Sequence, residues 1–100
     1  MVKKMEEIFI KVRDVVIGRT GVNFADMVWS DKEEHVDARA LLVSLLHDHD
    51  MSDVVIARFL GMTRQGVNKL RRNFDSRKGD SWLLSTVWKR CRDDLSTINS

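Results

Sequence analysis

The sequence contains no proline and no tyrosine, a single cysteine, and only five glycines in 100 residues. Without proline the strongest helix breaker is missing, and the valines and isoleucines never settle into the alternation that marks a half-buried strand. An all-helical fold is expected on that ground alone. The lone Cys91 cannot close a disulfide within the chain, so a reducing, cytoplasmic compartment is expected. The opening segment to Val12 is interrupted by acids and lysines, and no apolar run reaches the roughly 18 residues of a membrane span, so neither secretion nor a membrane partner is expected.

What is present is 43% hydrophobic and 32% charged residues, the balance of a folded domain rather than of a disordered chain, and the length suits one domain over residues 1–100. The net charge of +2 conceals an uneven distribution. Between Asp26 and Asp53 the acids Asp26, Asp31, Glu33, Glu34, Asp37, Asp48, Asp50 and Asp53 face only Lys32 and Arg39. From Arg58 to Lys78 the balance inverts: Arg58, Arg64, Lys69, Arg71, Arg72, Arg77 and Lys78 face Asp75 alone.

Apolar spacing divides the chain into five or six helices. Met5, Ile8, Phe9, Val12, Val15 and Val16 give a first helix from Lys4 to about Ile17, ending near Gly18 or Gly21. Asn23 is placed to cap a short helix from Phe24 to Trp29, and Ser30 to His35 reads as a loop. A third helix, Val36 to Asp48, carries the most continuous apolar face, with Ala38, Leu41, Leu42, Leu45 and Leu46. Ser52 caps a fourth through Leu60, and Thr63 caps a fifth that runs to about Asp75. The polar stretch Ser76 to Asp80 leads to a sixth, with Leu84, Val87, Trp88, Cys91, Leu95 and Ile98 at helical spacing.

Residues 53–72 have the pattern of a helix-turn-helix, whose second helix enters the DNA major groove. Such a unit needs a small residue at the crossing, a residue tolerant of left-handed backbone in the turn, and an aliphatic plug returning from the second helix. Ala57, Gly61 and Val67 fill those places, and Ile56, Leu60, Met62 and Leu70 supply the other inward positions. Thr63, Arg64, Gln65, Asn68 and Lys69 must then face outward, with Arg71 and Arg72 one turn further along at the level of phosphates. Arginine can pair with guanine, glutamine or asparagine with adenine, and lysine with base or phosphate. Gly66 suggests that bulk is unwelcome where the helix approaches its ligand. Double-stranded DNA is the expected partner. The alternative is a helical protein-interaction module with the same fold and no DNA contact.

With the motif placed, the chain resembles the C-terminal, origin-binding domain of the bacterial replication initiator DnaA. The likeness runs through Val12 and Val15, Gly21-Val22-Asn23-Phe24-Ala25-Asp26-Met27-Val28, Val36-Asp37-Ala38-Arg39-Ala40-Leu41-Leu42, and the helix pair from Ser52 to Phe74. It implies a helical bundle around a helix-turn-helix, with a bacterial role in regulation or in a mobile element. The family's recognition turn reads Gly-Gly-Arg-Asp-His-Thr-Thr-Val, whereas Gly61-Met62-Thr63-Arg64-Gln65-Gly66-Val67 is one residue shorter and differs at the base-reading positions. The family's minor-groove arginine loop corresponds to Asp31-Lys32-Glu33-Glu34-His35, which phosphates would repel. No Gly-x-x-x-x-Gly-Lys-Ser/Thr loop occurs, so the family's ATPase is absent from this sequence.

His47-Asp48-His49-Asp50 invites a metal reading, but ligands two apart diverge on a helix and no third soft ligand is near, so neither metal nor cofactor is expected. Cys91 sits in an apolar stripe with Trp88 and Leu95, which suits an inert thiol, and no enzyme activity is expected. Trp82, at the start of the sixth helix, suits a protein partner or a homodimer contact if exposed.

Overall fold

Without proline, helices run until a cap stops them. The computed structural model describes residues 2–96, with side chains described from residue 4. Among these residues there are six α-helices and no strand: α1 Val2–Thr20, α2 Phe24–Trp29, α3 Glu33–Asp48, α4 Asp53–Leu60, α5 Arg64–Asp80 and α6 Trp82–Leu95. The fold is an all-α bundle.

The caps read from sequence are in place. Asn23 Oδ1 accepts from the Asp26 N–H at 2.8 Å, Ser52 Oγ from the Val55 N–H at 3.3 Å, and Thr63 Oγ1 from the Gly66 N–H at 3.0 Å. Each such bond satisfies a donor left over at a helix start and contributes about 1 kcal/mol. α1 passes through Gly18 and stops at Gly21, whose φ of +72° turns the chain out of the helix.

α1 starts at Val2 rather than Lys4, and two boundaries differ further from the sequence reading. α3 begins at Glu33 rather than Val36, so the expected loop is shorter and Glu33 and Glu34 occupy the first turn, where carboxylates suit the positive end of the helix dipole. α5 does not stop at Asp75: the stretch Ser76–Asp80 is helical. Partners on other helices hold it so. Arg77 Nη1 donates to Asp37 Oδ1 at 3.0 Å, and Lys78 Nζ lies 3.7 Å from the centre of the Trp88 ring. Ser81 then ends α5 and caps α6, accepting from the Leu84 N–H at 3.1 Å.

α3 is the core helix. Ala40 and Val43 are buried beside the expected Ala38, Leu41, Leu42, Leu45 and Leu46, so it is enclosed on nearly all sides, and α1, α2 and α5 pack on it most heavily. Phe9 of α1 stacks on Phe59 of α4 at 4.5 Å and meets Phe24 of α2 edge-on at 5.9 Å, joining three helices through one ring cluster. Arg39 donates to the Met27 and Ser30 carbonyls at 2.7 and 2.6 Å, pinning the end of α2 to α3. In the α1 stripe Phe9, Val12 and Val16 are buried but Met5 is exposed, at the rim beside the Asp48–Met51 turn. In α6, Leu84, Cys91 and Leu95 are buried and Val87 and Trp88 half-buried; Ile98 lies outside the described residues.

Candidate nucleic-acid interface

α4 and α5 are joined by Gly61, Met62 and Thr63 alone. The turn depends on Gly61, which adopts φ +65° and donates its N–H to the Ala57 carbonyl, a backbone shape that a side chain makes costly. Ile56, Ala57, Leu60 and Val67 are buried, and Met62 and Leu70 are packed half-buried against them. The two helices, the tight turn and the inward residues expected of a helix-turn-helix over 53–72 are therefore in place, with Val67 completely enclosed.

The seven residues read from sequence as facing DNA separate into two groups. Arg64, Gln65, Lys69 and Arg72 are exposed, and none has a side-chain partner among the described residues. Thr63 is exposed too, but its hydroxyl is engaged as the cap of α5. Asn68 and Arg71 are half-buried and committed within the protein. Arg71 grips Asp53 through two parallel bonds, Nε to Oδ1 at 2.9 Å and Nη2 to Oδ2 at 3.0 Å, and Asn68 Nδ2 donates to Asp53 Oδ2 at 3.1 Å. The Arg71 bond, helped by Asn68, holds the Asp53 carboxyl below the usual range against the opposing effect of burial; the same bond raises Arg71.

Asp53 is thus part of the site, although its sequence position suggests only a residue suited to the α4 dipole. Its tertiary role has a faint signal: Asn68 and Arg71 are three apart on α5, so one acceptor on α4 can meet both. Together Ser52, Asp53, Val54, Arg64, Gln65 and Asn68 line a shallow cleft between the starts of α4 and α5.

Gly66 has an internal reason to lack a side chain. A Cβ there would lie 3.2 Å from Thr63 Oγ1 and 3.4 Å from Met62 Cε, crowding the cap that starts the helix. This contact is a reason within the protein for the glycine, beside the close approach of a ligand to which the sequence reading attributed it.

No family model, curated protein or solved structure matches the chain.

The basic run is also less free than its sequence suggests, since Arg71, Arg77 and Lys78 are paired inside the protein while Arg58, Arg64, Lys69 and Arg72 remain exposed. The free cations are those of α4 and the first half of α5. Elsewhere, no group of three or more His, Cys, Asp or Glu among the described residues could hold a metal ion, and His49 Nδ1 lies 2.9 Å from the Leu45 carbonyl oxygen at the end of α3. Cys91 is buried against the core, and desolvation pushes its thiol up to about 11. No helix among the described residues is long and apolar enough to cross a membrane.

Proposed function

We propose that the chain is a sequence-specific double-stranded DNA-binding domain that lays the N-terminal half of α5 in the major groove. The observation carrying this reading is that Arg64, Gln65, Lys69 and Arg72 stand exposed and unpartnered on one face of α5, beside a left-handed turn and above a fully buried Val67. Arg64 and Gln65, in the first turn, are the base readers; Lys69 and Arg72 follow the phosphates. Arg71, with one edge bound to Asp53, retains Nη1 to offer a phosphate, and Asn68 supports the clamp instead of reading a base.

The likeness to the DnaA origin-binding domain extends this reading to a relative of replication-initiator domains in a bacterial regulatory or mobile-element setting. The shorter turn and altered base-reading residues give it a different target sequence. The experiment is selection of binding sites from a random duplex pool, followed by titration of the enriched site and a scrambled duplex at two salt concentrations. A recovered consensus, bound at least about a thousandfold more tightly than the scrambled duplex, is the expected result. Equal affinity for both, or none at low salt, removes the reading.

A further inference from the structure

The start of α6 exposes two large apolar side chains in succession, Trp82 at 81% and Leu83 at 67%. Leu83 borders a groove of about 210 Å³ whose apolar wall also includes Val22, Ala38, Leu84 and Val87. That volume lies below the roughly 300–1,000 Å³ of small-ligand pockets and suits side chains inserted from a protein surface. The groove continues into a polar trough lined by Lys32, Glu33, Glu34, Asp37, Asp80 and Ser81. In this region Arg19 is tied to Asp94 at 2.7 Å and Asp37 to Arg77 at 3.0 Å, which leaves Glu33, Glu34 and Asp80 against Lys32. The apolar groove therefore has a negative rim.

We propose that this groove docks a basic amphipathic helix of a partner protein, with aliphatic side chains seated against Leu83 and Val87 and flanking lysines or arginines facing Glu33, Glu34 and Asp80. Charge complementarity selects this occupant. DNA is repelled by the rim, and a second copy related by a twofold axis would bring the same carboxylates face to face. The surface is remote from the recognition residues: α5 carries Arg64 at one end and Asp80 at the other, 17 residues spanning about 24 Å. Partner and DNA can be held together.

The probe is a fluorescein-labelled peptide of leucine and lysine at helical spacing, roughly 15 residues long so that a helix is accessible. Controls replace every lysine by glutamate or every leucine by serine, and binding to the whole chain is read by anisotropy. Saturable one-to-one binding by the parent peptide alone is expected. Leu83→Ser, and separately Glu33→Gln with Glu34→Gln, should each weaken it about tenfold or more. All three side chains are exposed, so melting temperature should be unchanged by Leu83→Ser and should fall slightly in the double change, which removes two carboxylates from the positive end of the α3 dipole. Arg64→Ala should leave it intact, so failure of the DNA reading and failure of this one are distinguishable. Absence of saturable binding, or binding indifferent to Leu83→Ser, overturns the proposal. So does sedimentation showing a dimer of the unliganded chain that Leu83→Ser abolishes, which would assign the groove to a second copy.

Discussion

Arg71 of α5 and Asp53 of α4 meet side-on in a two-bond clamp, at 2.9 and 3.0 Å, with Asn68 closing on the same carboxylate. The clamp crosses the helix-turn-helix on the face that the sequence assigns to DNA. It fixes the angle of α5 relative to α4 and removes one formal positive charge from that face.

Breaking the clamp should therefore have opposite effects on stability and on binding. Asp53→Ala is expected to cost about 1 kcal/mol, the scale of a partly exposed bidentate pair, read as a shift in denaturant midpoint. The same change should raise affinity for all duplexes alike at low salt, because a carboxylate beside the phosphates is gone and Arg71 is released. A loss of affinity confined to the preferred site would show instead that Asp53 orients a base contact.

The clamp also has a pH signature. The Asp53 carboxyl titrates lower in the folded protein than the unfolded value of about 3.9, so its contribution is complete above that value and disappears as pH falls through the lowered one. The stability difference between the wild type and Asp53→Asn should hold constant from neutral pH to about 5 and shrink below about 4. Chemical denaturation across that range measures it; a difference that grows on acidification contradicts the assignment.

The exposed cations should divide by role. Arg64→Ala or Gln65→Ala is expected to cost about 1 to 3 kcal/mol on the preferred duplex and to relax the preference at one base pair. Arg72→Ala should weaken binding to every sequence and lower the salt slope by about one unit, and Arg71→Ala should do the same, since it leaves the Asp53 carboxylate unpaired beside the phosphates. Isotherms on specific and random duplexes over a salt series test this. Equal losses for Arg64→Ala and Arg72→Ala on both duplexes would remove the division.

The two glycines of the motif should respond differently. Gly61→Ala places a side chain at φ +65° and is expected to lose about 1 to 2 kcal/mol. Gly66→Ala gains roughly 1 kcal/mol of helix propensity but crowds Thr63 Oγ1, so its net effect should be near zero. In a Thr63→Ala background, where that contact is gone, Gly66→Ala should recover most of the propensity gain. Thermal melts of the four combinations give the coupling directly, and additivity would show that the contact is harmless.

Cys91 offers a probe of core opening. Its thiol, pushed up to about 11 by desolvation, should react slowly with a disulfide reagent at pH 8 and rapidly once denaturant opens the bundle. Because the folded value exceeds the unfolded one, stability should be unaffected below about pH 8.5 and fall as pH rises toward 11. Fast labelling without denaturant would mean that α6 detaches from the core locally.

The all-α class follows from composition and spacing alone, because without proline and without alternation helices are what bury this set of side chains. The sequence by itself also determined the caps Asn23, Ser52 and Thr63 and the turn at Gly61, since a side-chain oxygen at a helix start and a left-handed glycine act through neighbours in the chain. The inward residues of the helix-turn-helix follow from helical spacing in the same way. Which outward residues are free was decided only by tertiary structure. Arg71 and Lys69 look alike in a basic run, but one has Asp53 across the α4–α5 crossing and the other has solvent. Likewise Ser76–Asp80 is polar enough to read as a loop, and it is helical because Arg77 finds Asp37 forty positions away and Lys78 finds the Trp88 ring. Local rules see a residue's neighbours in sequence. They do not see a charge delivered from another helix, and here that charge decides which part of the basic face is left to meet a ligand.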